Sequence, residues 1–156
     1  MNTPWKTIDQ FKYNSVSDCV NDLELKNYQV SEWIKDIGER LKVEPRDYPF
    51  NLFKIKVADF GFTEACKIKD IYEAFSSQGY KTVPPDIAIL TRFLYDEQPS
   101  TEWLRIATPL DSMIDSDNIP HLPKLGRALG MYFIETYWSY PNAVFHPHNE
   151  FIVTKK

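Results

Sequence analysis

The chain is predicted to fold as an α+β protein: a short N-terminal helical hairpin, then an antiparallel sheet of four or five strands packed with one or two helices. Three observations predict this. Apolar residues recur at helical spacing early in the chain and again around residues 68–75. Apolar and polar residues alternate around residue 55 and in the aromatic, β-branched runs MYFIETYW and EFIVTKK. Clusters of turn formers, rather than long crossovers, separate the later runs.

Ser15 precedes Val16, Cys19, Val20 and Leu23, an i, i+3, i+4, i+7 face that predicts a helix over 16–25. Asn27 and Tyr28 break it. Ser31 is a second N-cap, and Ile34, Ile37 and Leu41 mark a second helix after a tight turn. The stretch Glu44 to Pro49, rich in proline and charge, is the natural linker, dividing a helical piece at 1–44 from an α+β domain at 50–156.

Phe53, Ile55 and Val57 alternate with Lys54 and Lys56 as a strand that Gly61 ends. Ile68, Ile71, Tyr72 and Phe75 form the next helical face, with Gly79 placed for a left-handed cap. Pro84 and Pro85 open a short helix, and the alternation of Thr91, Phe93 and Tyr95 predicts that it runs into a strand. The turn formers of Asp96 to Thr101 then predict a hairpin back through Trp103, Leu104 and Ile106. Asp115 to Pro120 make another turn before the last two strands.

Composition sets the bounds on function. The 156 residues carry 18 Lys and Arg against 22 Asp and Glu, a formal charge of −4, so no overall positive field attracts polyphosphate. Aromatics at 15% exceed what a disordered chain leaves in water. Cys19 and Cys66 stand far apart, without metal spacing, and read as reduced core thiols. The first residues lack the apolar stretch of a secretion signal, and no run reaches the roughly 18 apolar residues of a membrane span, so a cytoplasmic protein with no membrane contact is expected.

Several strings invite a chemical reading. Asp59-Phe60-Gly61 matches the magnesium-binding tripeptide of protein kinases, but no glycine-rich loop precedes it, and Glu44-Pro45 stand where a histidine should precede Arg46-Asp47. His146 and His148 flank Pro147 and would share one side of an extended segment, with Glu150 continuing it. With His121 and the Asp115 and Asp117 turn they define an alternative metal site for a small hydrolase. The common reading of such residues is an ordinary loop and a capped turn.

A helix-turn-helix reading of the N-terminal helices would need Lys26, Lys35, Arg40 and Lys42 on one open face. Residues 1–49 nevertheless carry seven cationic and nine acidic side chains, so nucleic acid is not an expected partner. Alternation places Tyr132, Ile134 and Thr136 on one face of the 131–138 run and Met131, Phe133, Glu135 and Tyr137 on the other, so both faces carry rings.

The order of WKTI, VSEWIKDI, ADFGFTEACKIKDIYEAFSSQGY, FLYDEQPSTEWLRIATPLDS and DSDNIPH resembles a family of small bacterial proteins of uncharacterised activity. The likeness spans most of the chain. It implies a bacterial, cytoplasmic α+β protein and carries no catalytic residue across. Asn118, His146 and His148 depart from the pattern, which speaks against the metal site. The leading expectation is therefore a non-enzymatic binding module without a cofactor, engaging another protein, a second copy or a small ligand through Trp103, Tyr137, Trp138 and Tyr140.

Overall fold

A computed structural model describes residues 3–156. The strands are β1 (Lys6–Ile8), β2 (Gln29–Val30), β3 (Phe50–Lys56), β4 (Cys66–Lys67), β5 (Tyr80–Lys81), β6 (Trp103–Ile106), β7 (His121–Ala128), β8 (Met131–Trp138), β9 (Val144–Phe145) and β10 (Glu150–Lys155). The helices are α1 (Val16–Leu25), α2 (Glu32–Gly38), α3 (Ile68–Ser77) and α4 (Pro85–Leu90). The main sheet runs β1-β3-β10-β6-β7-β8-β2, with β5 also paired to β10, and β4 and β9 form a separate ribbon.

The α+β class is what the sequence predicts, but the sheet is larger and mixed. It has eight strands rather than four or five. Two of its pairings are parallel, β6 with β10 and β2 with β8. The tight N-terminal hairpin is also corrected. Ser15 and Ser31 cap α1 and α2 as expected, accepting from the backbone N–H of Asp18 and Ile34. The residues between the helices form β2, which lies along Phe133 and Ile134, and the Ser31 N–H donates to the Ile134 carbonyl. Its partner lies about a hundred residues downstream, out of reach of any local pattern.

A second correction concerns residues 91–106. Thr91–Leu94 continue α4 as a tighter 3-10 turn, not as a strand, and β6 pairs with β7 and β10 instead of folding back on them. The apparent alternation misleads because Arg92, at the supposed wet position, is fully buried. Strand β7 escapes prediction because Pro123 and Gly126 weaken its pattern. Pro123 is tolerated because its place lies beyond the last β6 register position, Arg105 opposite Lys124.

The sheet is buried on both faces. Val16, Leu23, Ile34, Ile37, Ile87, Leu104, Leu125, Ile134 and Ile152 belong to one core under α1, α2 and α4. Phe53, Ile71, Phe75, Leu122, Phe145, Phe151 and Val153 form the other, under α3. Successive residues Phe151, Ile152 and Val153 are therefore all buried, giving a continuous apolar run where a one-sided sheet would alternate.

The 44–49 segment is fastened to α4. Arg46 makes a two-pronged ion pair of 2.8 and 2.9 Å with the buried Asp86, whose carboxylate also accepts the Glu44 N–H. Residues on both sides of this segment contribute to the first core. Among the described residues no helix is long and apolar enough to cross a membrane.

Candidate functional site

Strand register assembles a polar floor on the α3 face. Trp103 lies opposite Gly126, and Arg105 opposite Lys124. On the next strand Phe133 faces Gly126, Glu135 faces Lys124 and Tyr137 faces Leu122. Directly opposed residues project to the same side, so Trp103, Arg105, Lys124, Glu135 and Tyr137 share one surface. Gly126 is required here. A Cβ at that position would stand 2.5 Å from Cη2 and 2.6 Å from Cε3 of Trp103, so only glycine lets the indole lie over β7.

The floor centres on two cations. Lys124 Nζ stands 4.6 Å from the Trp103 ring centre and 5.8 Å from that of Tyr137. Burial holds the Lys124 ammonium below the usual lysine range, opposed by the facing Glu135 and helped by the neighbouring Arg105 charge. The Arg105 guanidinium sits 5.6 Å from the Phe145 ring, and burial lowers its pKa too. Its sole hydrogen bond among the described residues runs from Nη1 to the Trp103 carbonyl at 3.2 Å, while Nε is buried without an acceptor. Among the described residues neither cation forms a salt bridge, although the Glu135 carboxylate across from Lys124 acts on it through space. Beside them opens a cleft of about 330 Å³ lined by Trp103, Arg105, His148, Asn149 and Glu150 among others.

The four rings expected to bind are thus divided. Trp103 and Tyr137 meet around Lys124. Trp138 follows Tyr137 and projects from the opposite face, where it is 54% exposed, and the exposed Tyr140 lies in the turn after β8. Arg105 and Lys124 were not singled out in the sequence. The available signal was the period-two spacing of Trp103 with Arg105 and of Lys124 with Gly126, legible only once β6 and β7 are known to be neighbours.

The six alternative metal ligands scatter to three places. Asp115 Oδ2 lies 2.7 Å from Nε2 of His121, whose Nδ1 lies 2.9 Å from the Thr136 hydroxyl. An ionised carboxylate only accepts, so Nε2 carries the hydrogen and Nδ1 meets the hydroxyl. Asp115 also accepts the N–H groups of Asp117 and Ile119, and the His121 hydrogen bond, followed by these two, keeps its carboxyl below the usual range. Asp117 contributes its backbone alone.

His146 and His148 are exposed and stack on each other 5.6 Å apart, while Glu150 turns toward Lys54 at 3.8 Å. Among the described residues no three His, Cys, Asp or Glu side chains come together as a metal would require. No family profile, curated protein sequence or solved structure matches the chain.

The hydroxyl–imidazole–carboxylate series has the hydrogen-bond order of a nucleophile relay, but its setting is closed. His121 is 1% exposed, and Trp33 covers its ring at 5.4 Å. A general base must reach the proton it takes, and this one is occupied on both nitrogens and sealed. The series ties the Asp115 turn to β8. On the same face Lys26 pairs with Asp22, Lys35 with Glu24 and Glu32, and Arg40 with Asp36, so three of the four cations a nucleic-acid reader would offer face acids. Burial pushes the Cys19 thiol up to about 12, away from any nucleophilic form.

Proposed function

We propose that this protein is a non-enzymatic ligand-binding module whose site is the floor of Trp103, Arg105, Lys124 and Tyr137 with its adjoining cleft. The supporting observation is Arg105. A guanidinium has five N–H donors, and this one, largely desolvated, makes a single hydrogen bond among the described residues. Buried polar groups are normally satisfied, so an arginine left this way beside an open cleft suits a partner from outside. Lys124, set over two rings and without a salt bridge among the described residues, repeats the pattern one strand away. The free thiols of Cys19 and Cys66 suit the reducing cytoplasm.

The test is a small-molecule fragment screen against the 15N-labelled full chain by NMR. Hits are expected to shift the Trp103 indole N–H and the amides of Gly126 and Tyr137. Hits that gather around Trp33 and Trp138, leaving those signals still, would overturn the assignment of the site.

A further inference from the structure

We infer that the ligand of this site presents one carboxylate to the Arg105–Lys124 pair and lays an apolar body along Trp103 and Tyr137, an inference that rests on the binding reading above.

Charge on the α3 face sets the valence. Arg105 and Lys124 project there together, and Glu135, directly across from Lys124, is the acid they share the surface with. The two acids of the cleft rim share one cation, with Glu102 at 3.1 Å and Glu150 at 3.8 Å from Lys54. Arg105, Lys124 and Lys54 thus stand against Glu102, Glu135 and Glu150, and with the charges even a monoanion upsets the balance less than a phosphate dianion would.

Donor geometry sets the chemical class. With Nε shut in and one Nη1 hydrogen on the Trp103 carbonyl, the guanidinium keeps the outer end of its fork, Nη2 and the second Nη1 hydrogen, for a ligand. That end matches the two oxygens of a carboxylate, and Lys124 supplies a point charge beside it. The half-buried indole and phenol flanking Lys124 provide apolar walls, and a cleft of about 330 Å³ has room for a small organic acid rather than a bare ion alone.

The experiment titrates the full 15N-labelled chain with benzoate, benzamide and inorganic phosphate, following the Trp103 indole, the Arg105 side-chain N–H and the Gly126 amide. Benzoate is expected to give saturable shifts, with benzamide and phosphate each roughly tenfold weaker or worse. Arg105→Gln and Lys124→Met should each weaken benzoate by about tenfold or more, while Arg105→Lys, which keeps the charge but not the fork, should fall between. Unchanged amide dispersion outside β6–β8 certifies that a variant is folded.

Equal shifts from benzamide at the same residues would overturn the carboxylate while sparing the binding site. Tighter binding of phosphate would overturn the single charge. Silence from all three probes, together with a fragment screen that leaves these residues still, would overturn both readings.

Discussion

Arg92 and Arg105 stand against opposite faces of one sheet, Arg92 between Thr91 and Phe93 and Arg105 between Leu104 and Ile106, and the fold treats them in opposite ways. Arg92 is fully buried and donates to four acceptors: Gln98 Oε1 at 2.9 Å and the carbonyls of Tyr95, Gly126 and Phe133 at 2.7, 3.1 and 2.9 Å. The rings of Tyr28 and Tyr132 stand beside its guanidinium. Burial lowers its pKa to about 10, which leaves it charged at neutral pH. Arg105 borders a cleft and makes one hydrogen bond among the described residues. One cation is consumed in holding the 95–98 turn to β7 and β8, and the other is left with donors to spare. Residue type and local context do not distinguish them; the number of acceptors that the tertiary structure brings does.

The largest expected effect breaks the first half of this contrast. Arg92→Met removes the donor for four acceptors in an interior site, and should cost about 3–5 kcal/mol, measured by urea unfolding. A loss under about 1 kcal/mol would mean that Arg92 is as expendable to the fold as Arg105.

Gly126→Ala comes next. The added methyl collides with the Trp103 ring and should cost about 1–3 kcal/mol, with a changed near-ultraviolet dichroism from the displaced indole. An unchanged spectrum would show that β6 can shift without disturbing the floor.

Arg105→Gln tests the second half. Little internal bonding is lost, so urea unfolding should place it within about 1 kcal/mol of the parent, even as the benzoate shifts weaken. Destabilisation comparable to that of Arg92→Met would make Arg105 a structural residue and erase the contrast.

The smallest effect sits on the Arg92 face alone. Helix α2 is tied to the turn before β7 by Asp36, which pairs with Arg40 at 3.0 Å and accepts the Ser116 N–H, and by Arg40 Nη2, which donates to the Ile114 carbonyl. The Arg40 hydrogen bond, then that of Ser116, lowers the Asp36 pKa from 3.8 to about 2. A carboxylate lowered on folding stabilises fully above its unfolded pKa and loses that contribution as pH falls through its folded one, here from near 4 down to about 2. Asp115, lowered chiefly by His121, adds with the same sign. The urea midpoint should fall over this acid range, and Asp36→Asn should flatten part of the fall. Because Asp36 is exposed enough to be screened, salt should shrink the difference. An identical acid profile in the variant would refute this account of the α2 anchor.

Local chemistry made several elements legible. The apolar stripe and Ser15 delimit α1, the Ile68-Ile71-Phe75 face with Gly79 delimits α3, and alternation marks β8 over 131–138. Gly61 and Gly79 adopt φ of 91° and 90°, the left-handed conformation that suits glycine. Of the candidate site, Trp103 and Tyr137 could be named as large rings on strands, whereas Arg105 and Lys124 could not be told from ordinary surface cations.

The sequence by itself determined the α+β class, these helices and strands, and an interior rich enough in aromatic and branched residues to fold, because periodicity, capping and turn chemistry act over a few neighbouring residues. Only the tertiary structure decided that β2 lies parallel to β8, that β6 joins β7 and β10, that His121 meets Asp115 rather than His146, and that Arg92 meets four acceptors while Arg105 meets one. Those outcomes depend on strand register and on partners far along the chain, where a shift of one residue sends every side chain to the other face.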